Sequence, residues 1–368
     1  MRKSVKTRKI RGGTWLALAV MFLFCLLSGC GRAESGEEPG DGESGRKLKV
    51  AATLFPYYDF VRQIAGNQVD LQMVIPAGMD SHSFEPTPAD IRTIQHADVL
   101  ISNGGTMEHW LDETLAALDT TSMTIVTMMD YVDTVEEEIV EGMEDADHDH
   151  DHAHVHAADD HDHSNETPEE HAAHAHEADD HDYVDHDGHE EEIEYDEHIW
   201  TSPVNAMKLV DVIGDTLAQA DPAHADIYHQ GAASYKKELE EIDAGFREVC
   251  ANRKRNMIVM GDKFPFRYLA DEYQLDYRAA FSGCSSDTEP SAKTIAYLID
   301  KVKEEQIPAV YYLELSSHRV AEIIGEETGA EPLLLHSCHN VTRAQFDAGI
   351  TYAGLMRQNI ENLRKGID

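Results

Sequence analysis

Residues 147–198 constrain this chain most, because they cannot build a core. Fourteen of its 22 histidines fall there, mixed almost solely with Asp, Glu and Ala. So little apolar surface cannot offset the entropy cost of ordering, and most of the run is expected to stay disordered. It therefore has to be an insertion beside, or between, folded segments. Its composition also says what it meets. Imidazoles interleaved with carboxylates suit borderline divalent cations, zinc above all, with copper and nickel as competitors. A purely solubilising acidic loop has no need of histidine. His148, His150, His152, His154, His156, His161, His163, His171, His174, His176, His181, His186 and His189 are thus expected to form a low-affinity metal-collecting loop.

The formal charge of −40 argues against nucleic acid or an anionic membrane surface as a partner. A cation is the ligand it favours. At 368 residues the chain has room for two domains of ordinary size plus tails. Residues 1–30 read as an address. Arg2, Lys3, Lys6, Arg8, Lys9 and Arg11 form a basic region, and the apolar stretch 15–27 is shorter than the roughly 20 residues a membrane span needs. Leu27-Ser28-Gly29-Cys30 resembles a bacterial lipobox, which implies cleavage before Cys30 and a lipid anchor on its thiol. Residues 31–46, rich in Gly, Glu and Ser, then form a flexible tether. Cys250, Cys284 and Cys338 remain in an oxidising exterior, where a disulfide is permitted and one thiol is left over.

From residue 47 the chain alternates strand and helix. Strands are expected at 47–53, 71–75, 99–103 and 124–126, with a helix at 55–65 ending at Gly66. Thr87 and Asp90 form a capping box with Pro88 at the first helical position. His82 consequently lies on a loop that leaves a strand and precedes a helix, where open α/β sheets bind ligands. After the histidine run, a helix is expected at 206–218. A longer one from Pro222 carries Tyr228, Tyr235, Leu239, Ile242 and Phe246 on one stripe. A second round follows, with strands at 256–260, 277–281, 310–314 and 332–335 and a closing helix at 346–363. The implied fold class is α/β, two lobes with small parallel sheets joined by one long rigid helix. The expected layout is an N-terminal lobe at 47–221, including the disordered loop at about 134–195, a linking helix at 222–252 and a C-terminal lobe at 253–368.

The ordered stretches carry marks in a fixed order. They are Gly78-Met79-Asp80-Ser81-His82 with Glu85 to Asp90, Glu108 with Trp110, Glu197-His198-Ile199-Trp200, Tyr268 before Tyr273, Glu289-Pro290-Ser291, Glu314, and Tyr352 with Met356 and Asn359. In these the sequence resembles the metal-binding receptor lipoproteins of bacterial zinc and manganese ABC transporters, and its histidine-rich loop resembles the zinc branch. The resemblance implies a cleft between the lobes holding one divalent ion. It also implies a membrane permease as partner, a monomer, and an extracytoplasmic site on the membrane reached through the lipid anchor only. Two ligands are implied from the first lobe, and His82 and His198 match them. The second pair departs. The family's third histidine falls on Lys263, which when protonated has no lone pair, and its aspartate falls on His336.

Four readings of the second lobe stay open. His336 replaces the missing histidine, with water or a carboxylate as fourth ligand; Cys284 or Cys338 ligates as thiolate; those two cysteines form a disulfide; or the second lobe binds nothing and Lys263 pairs with a carboxylate. The set carried forward is His82, His198 and His336, with zinc preferred to manganese. Two other classes stand beside the receptor. A zinc hydrolase also uses three histidines and an open position, but the chain has no His-Glu-x-x-His pair and no Gly-x-Ser-x-Gly elbow, so an enzyme is not expected. A surface metal buffer or adhesin would use the run alone and leave two ordered lobes without a role.

Overall fold

The computed structural model describes residues 46–143, 194–285 and 289–368. The basic and apolar leader, the tether, Cys30 and all thirteen histidines of the expected loop lie outside the described residues. Lys47–Asp368 form one compact unit. It opens with β1 (Leu48–Ala52), α1 (Phe55–Ala65), β2 (Val69–Met73), α2 (Pro88–Gln95), β3 (Val99–Ser102), α3 (His109–Ala116) and β4 (Thr124–Thr127). After the insertion come α4 (Pro203–Ala220) and α5 (Ala225–Ala251). The second round is β5 (Met257–Phe264), α6 (Arg267–Tyr273), β6 (Asp276–Ser282), α7 (Ala292–Glu304), β7 (Ala309–Tyr312), α8 (Arg319–Thr328) and β8 (Glu331–Leu334). A short α9 (Arg343–Asp347) and a closing α10 (Tyr352–Ile367) end the chain.

Each lobe is a four-stranded parallel sheet, in the order β2-β1-β3-β4 and then β6-β5-β7-β8. The two are wired alike. Each reverses direction between its first-formed strand and its third, so a crevice opens beyond the carboxyl ends of β1 and β3, and another beyond β5 and β7. The central strands β3 and β5 open on continuous apolar runs, Val-Leu-Ile and Met-Ile-Val-Met, as parallel sheets covered on both faces require.

Helix α5 is about 40 Å long at 1.5 Å per residue. It buries Tyr228, Ala232, Tyr235, Leu239, Ile242, Phe246 and Val249 along one side. Helices α1, α4 and α10 pack against it, so one apolar core runs from Val50 in the first sheet through Phe246 to Met260 in the second. A smaller cluster covers the far face of the second sheet, around Phe281, Leu298 and Ile324. A polar stitch reinforces the joint. Buried Asp59 of α1 accepts the backbone N–H of Tyr352 at 2.6 Å and pairs with Arg62 at 2.6 Å.

One boundary differs from expectation. Residues 134–143 and 194–195, assigned above to the disordered loop, are held: Glu136 pairs antiparallel with Tyr195, and Asp196 N–H donates to Val135 O at 2.9 Å. The second lobe grips this flank. Tyr268 Oη accepts from Val135 N–H at 3.2 Å, and the Glu137 carboxylate accepts from Cys284 N–H at 2.9 Å. Composition alone hid this because the ordering comes from long-range partners.

Candidate metal centre

The loop between β2 and α2 turns at Gly78, whose φ is +88°. Asp80 Oδ1 accepts from His82 N–H at 3.2 Å, and buried Phe84 packs edge-on against Trp110 with ring centres 5.0 Å apart. The expected capping box forms, Thr87 accepting from Asp90 N–H while Asp90 accepts from Thr87 N–H. His82 is thereby fixed at its root on the rim of a cleft of about 340 Å³.

His198 is held more tightly. The neighbouring Glu197 carboxylate accepts the backbone N–H of Met107 at 2.7 Å, the Thr106 hydroxyl at 2.8 Å, and the Thr106 N–H. Gly105 faces it at φ +80°, and a Cβ there would stand 2.4 Å from that carboxyl. Only glycine permits the approach. Asp196 Oδ1 accepts from His198 N–H at 2.8 Å and lies 3.2 Å from Nδ1, so Nδ1 carries the proton and the Nε2 lone pair is free. Trp200, two residues on and fully buried, donates to Ser337 O at 2.8 Å, which joins this loop to the second lobe.

The third imidazole is His339. The rings of His82, His198 and His339 have centres 5.4 to 6.0 Å apart, and a nitrogen of each lies within 4.8 Å of the others. His336, the residue expected from the sequence, is not in this cluster. Its backbone is clamped by Asn359 of α10, which donates to His336 O at 2.7 Å and accepts from His336 N–H at 2.8 Å. That turns the ring inward, where Nδ1 accepts from Cys338 N–H at 3.0 Å, Glu314 stands 3.4 Å away, and Nε2 is buried without a partner among the described residues. Cys338 then adopts φ +61°, which reverses the chain and sends His339 into the cleft. Ser81 meets His339 Nε2 there, and Asn340 donates to Pro76 O at 2.9 Å and Met79 O at 2.7 Å.

The cysteine readings fare differently from the histidines. Cys284 and Cys338 are both free thiols, so no disulfide joins them. Burial, with nearby Asp196 and Glu137, pushes Cys284 far up, and burial raises Cys338 beside Glu314. Neither belongs to the histidine cluster. Lys263 lines the cleft, yet its ammonium has no hydrogen-bond or ion-pair partner among the described residues, contrary to the carboxylate pairing considered above. Counting along the family pattern placed the third ligand at the strand end. β8 stops at Leu334, however, and the left-handed turn at Cys338 is invisible to counting. Two histidines three apart were the available signal, since in extended backbone such a pair points to opposite faces.

Rings in this cluster resist protonation. Burial and the neighbouring His198 lower His82 to about 4, with Asp80 opposing. Burial, His198, His82 and Lys263 hold His339 well below the ordinary imidazole range. Both rings are therefore neutral at pH 7, with lone pairs ready for a metal.

Residues 50–366 match the family described as ZnuA, zinc-uptake complex component A, periplasmic. The zinc-binding protein AdcA of Streptococcus pyogenes is 32% identical over 322 residues, which is 88% of this chain and 56% of AdcA, so the chain spans just over half of that relative. The high-affinity zinc uptake system protein ZnuA of Bacillus subtilis is 29% identical over 355 residues, 96% of this chain and 98% of that protein. Among solved structures, the Zn(II)-bound ZnuA-like domain of Streptococcus pneumoniae AdcA superposes with a TM-score of 0.63 at 26% identity, covering 88% of this chain and 99% of that one. With residues 50–366 matched, this chain belongs to the family of periplasmic zinc-uptake components.

Proposed function

We propose that the protein is the extracytoplasmic receptor of a zinc-uptake ABC transporter, capturing Zn²⁺ with His82, His198 and His339 and handing it to a membrane permease. One observation carries this reading: three imidazoles from two lobes converge within 4.8 Å. Few, nitrogen-rich ligands suit tetrahedral zinc, whereas manganese favours more numerous oxygen donors. The names of the relatives AdcA and ZnuA point the same way. Because His339 rides on the second lobe and the other two on the first, the ion ties the lobes together, and a permease that parts them would weaken it. Anchoring through a lipid on Cys30, a monomeric state, and absence of catalysis complete the reading. No described helix is long and apolar enough to cross a membrane.

The test is equilibrium zinc titration with a competing chelator on protein purified without a histidine tag. A single tight site in wild type that weakens in His82→Ala, His198→Ala and His339→Ala supports the reading. A tight site that survives all three replacements together contradicts it.

A further inference from the structure

We propose that the cleft takes its metal together with a small carboxylate anion, which fills the coordination position left by the three imidazoles and pairs with Lys263. This rests on the receptor reading above and adds a second component to the cargo.

Coordination number comes first. Zinc in proteins takes four ligands, and among the described residues only His82, His198 and His339 gather closely enough to share an ion. The space comes second. A cleft of about 340 Å³ is far more than one ion and a water need, since a water occupies about 30 Å³.

Charge is the third and most particular element. Lys263 stands near the carboxyl end of β5, beside the crevice where the second sheet reverses its order. Pairing between β5 and β6 shifts register between Met260 and Lys263, an irregularity of the kind that re-aims side chains beside sites. Within the shifted stretch Gly261 packs closely on α8, where a Cβ would stand 2.8 Å from Ala321 N. Lys263 therefore presents an ammonium with no partner among the described residues to the same space as the imidazoles, and its charge reaches His82 and His339. An ammonium facing a bound dication is repulsive. A carboxylate between them removes the repulsion, giving one oxygen to the metal and the other to Lys263.

Of the protein's own carboxylates nearby, Asp262 and Glu314 are held by several donors, while Asp80 is exposed and accepts only one backbone N–H among the described residues. Asp262 accepts from Lys263 N–H at 2.9 Å and Leu313 N–H at 3.4 Å, Glu314 holds Ser337 N–H at 2.8 Å and its hydroxyl, and Asp80 accepts from His82 N–H. Glu289 remains on the exposed rim. With Asp80 it makes the entrance acidic, which disfavours multiply charged phosphates relative to a monoanion.

The experiment uses cobalt(II) as a spectroscopic stand-in for zinc in the full chain. Its visible d–d bands are recorded during titration with sodium acetate, against sodium perchlorate at equal ionic strength. Acetate should shift the bands saturably, and perchlorate should not. Lys263→Gln should raise the half-saturating acetate concentration about tenfold or more while keeping the cobalt, and Lys263→Arg should restore it. Bands that ignore acetate, or an acetate response unchanged in Lys263→Gln, overturn the proposal and leave the receptor reading intact. So does a band change in Asp80→Asn or Glu289→Gln before acetate is added, which assigns the fourth ligand to the protein. Failure of the three-histidine cluster to load either cobalt or zinc overturns the receptor reading, and the proposal with it.

Discussion

The two lobes share one wiring and differ in what their loops deliver. Beyond the first sheet, two separate loops bring His82 and His198 to the cleft, the second braced by Asp196 and by Glu197 on backbone N–H groups. Beyond the second sheet, one tight loop offers His336 and His339, turns the first inward and the second outward, and leaves Lys263 at a neighbouring strand end. Strand order is thus set by the repeated alternation of apolar runs and helices. Which imidazoles reach the cleft is set by a few backbone clamps past the strand ends. Counting along the family pattern places His198, beside the clamped Glu197, in the histidine cluster, whereas the Asn359 clamp keeps His336 out of it.

The largest effect should come from the first lobe. His82→Ala with His198→Ala leaves one imidazole and should abolish tight zinc binding in a chelator competition; retention of the tight site would break the assignment of these loops. Asp196→Asn tests the brace rather than the ligand. Changes to such outer partners cost roughly 10- to 100-fold in metal affinity, and a variant that binds like wild type would show His198 to be oriented by packing alone.

Gly105→Ala comes next, because it strikes Glu197 at a positive φ. Thermal denaturation of the metal-free protein should show a loss of about 1–3 kcal/mol, and an unchanged midpoint would mean the Glu197 clamp yields easily.

Glu108 gives a pH-dependent comparison within the first lobe. It is buried in the 3-10 turn Thr106–Glu108 that follows β3, accepts from Asn103 N–H at 2.8 Å and Gly104 N–H at 3.0 Å, and burial raises it to about 7. The folded state therefore holds this proton more tightly than the unfolded state. Its stability contribution is fully present below about 4.5 and is lost as pH rises from there to about 7. Glu108→Gln should flatten that part of the stability profile in urea titrations, and a slope unchanged between pH 4.5 and 7 would contradict the burial account.

The smallest expected effect separates the cleft from the histidine run. An unperturbed imidazole gains its proton near pH 6.5, whereas His82 resists until about 4. Deleting residues 147–189 should remove several weak sites that empty by about pH 5.5 and leave the tight one holding zinc. Loss of the tight site on deletion would join the two regions.

Much of the fold was legible because period and punctuation sufficed. The Gly66 stop, the Thr87 capping box and the stripe on α5 all appear where the residues place them. His82 was also legible, from its place between a strand and a capped helix. The third imidazole was not. Its position depends on Asn359, 20 residues further along, and on a left-handed Cys338 that no propensity favours. The ordered flank 134–143 was hidden for the same reason, since Tyr268 and Cys284 hold it from the other lobe.

The central claim is that the second lobe contributes His339 and not His336. Chelator-competition titration of His339→Ala and His336→Gln, both first shown to be folded by circular dichroism, tests it most directly. His339→Ala should weaken the tight site well over about tenfold, since even outer-partner changes reach that range, while His336→Gln should bind zinc within a few-fold of wild type. Wild-type affinity in His339→Ala, with loss in His336→Gln, would contradict it.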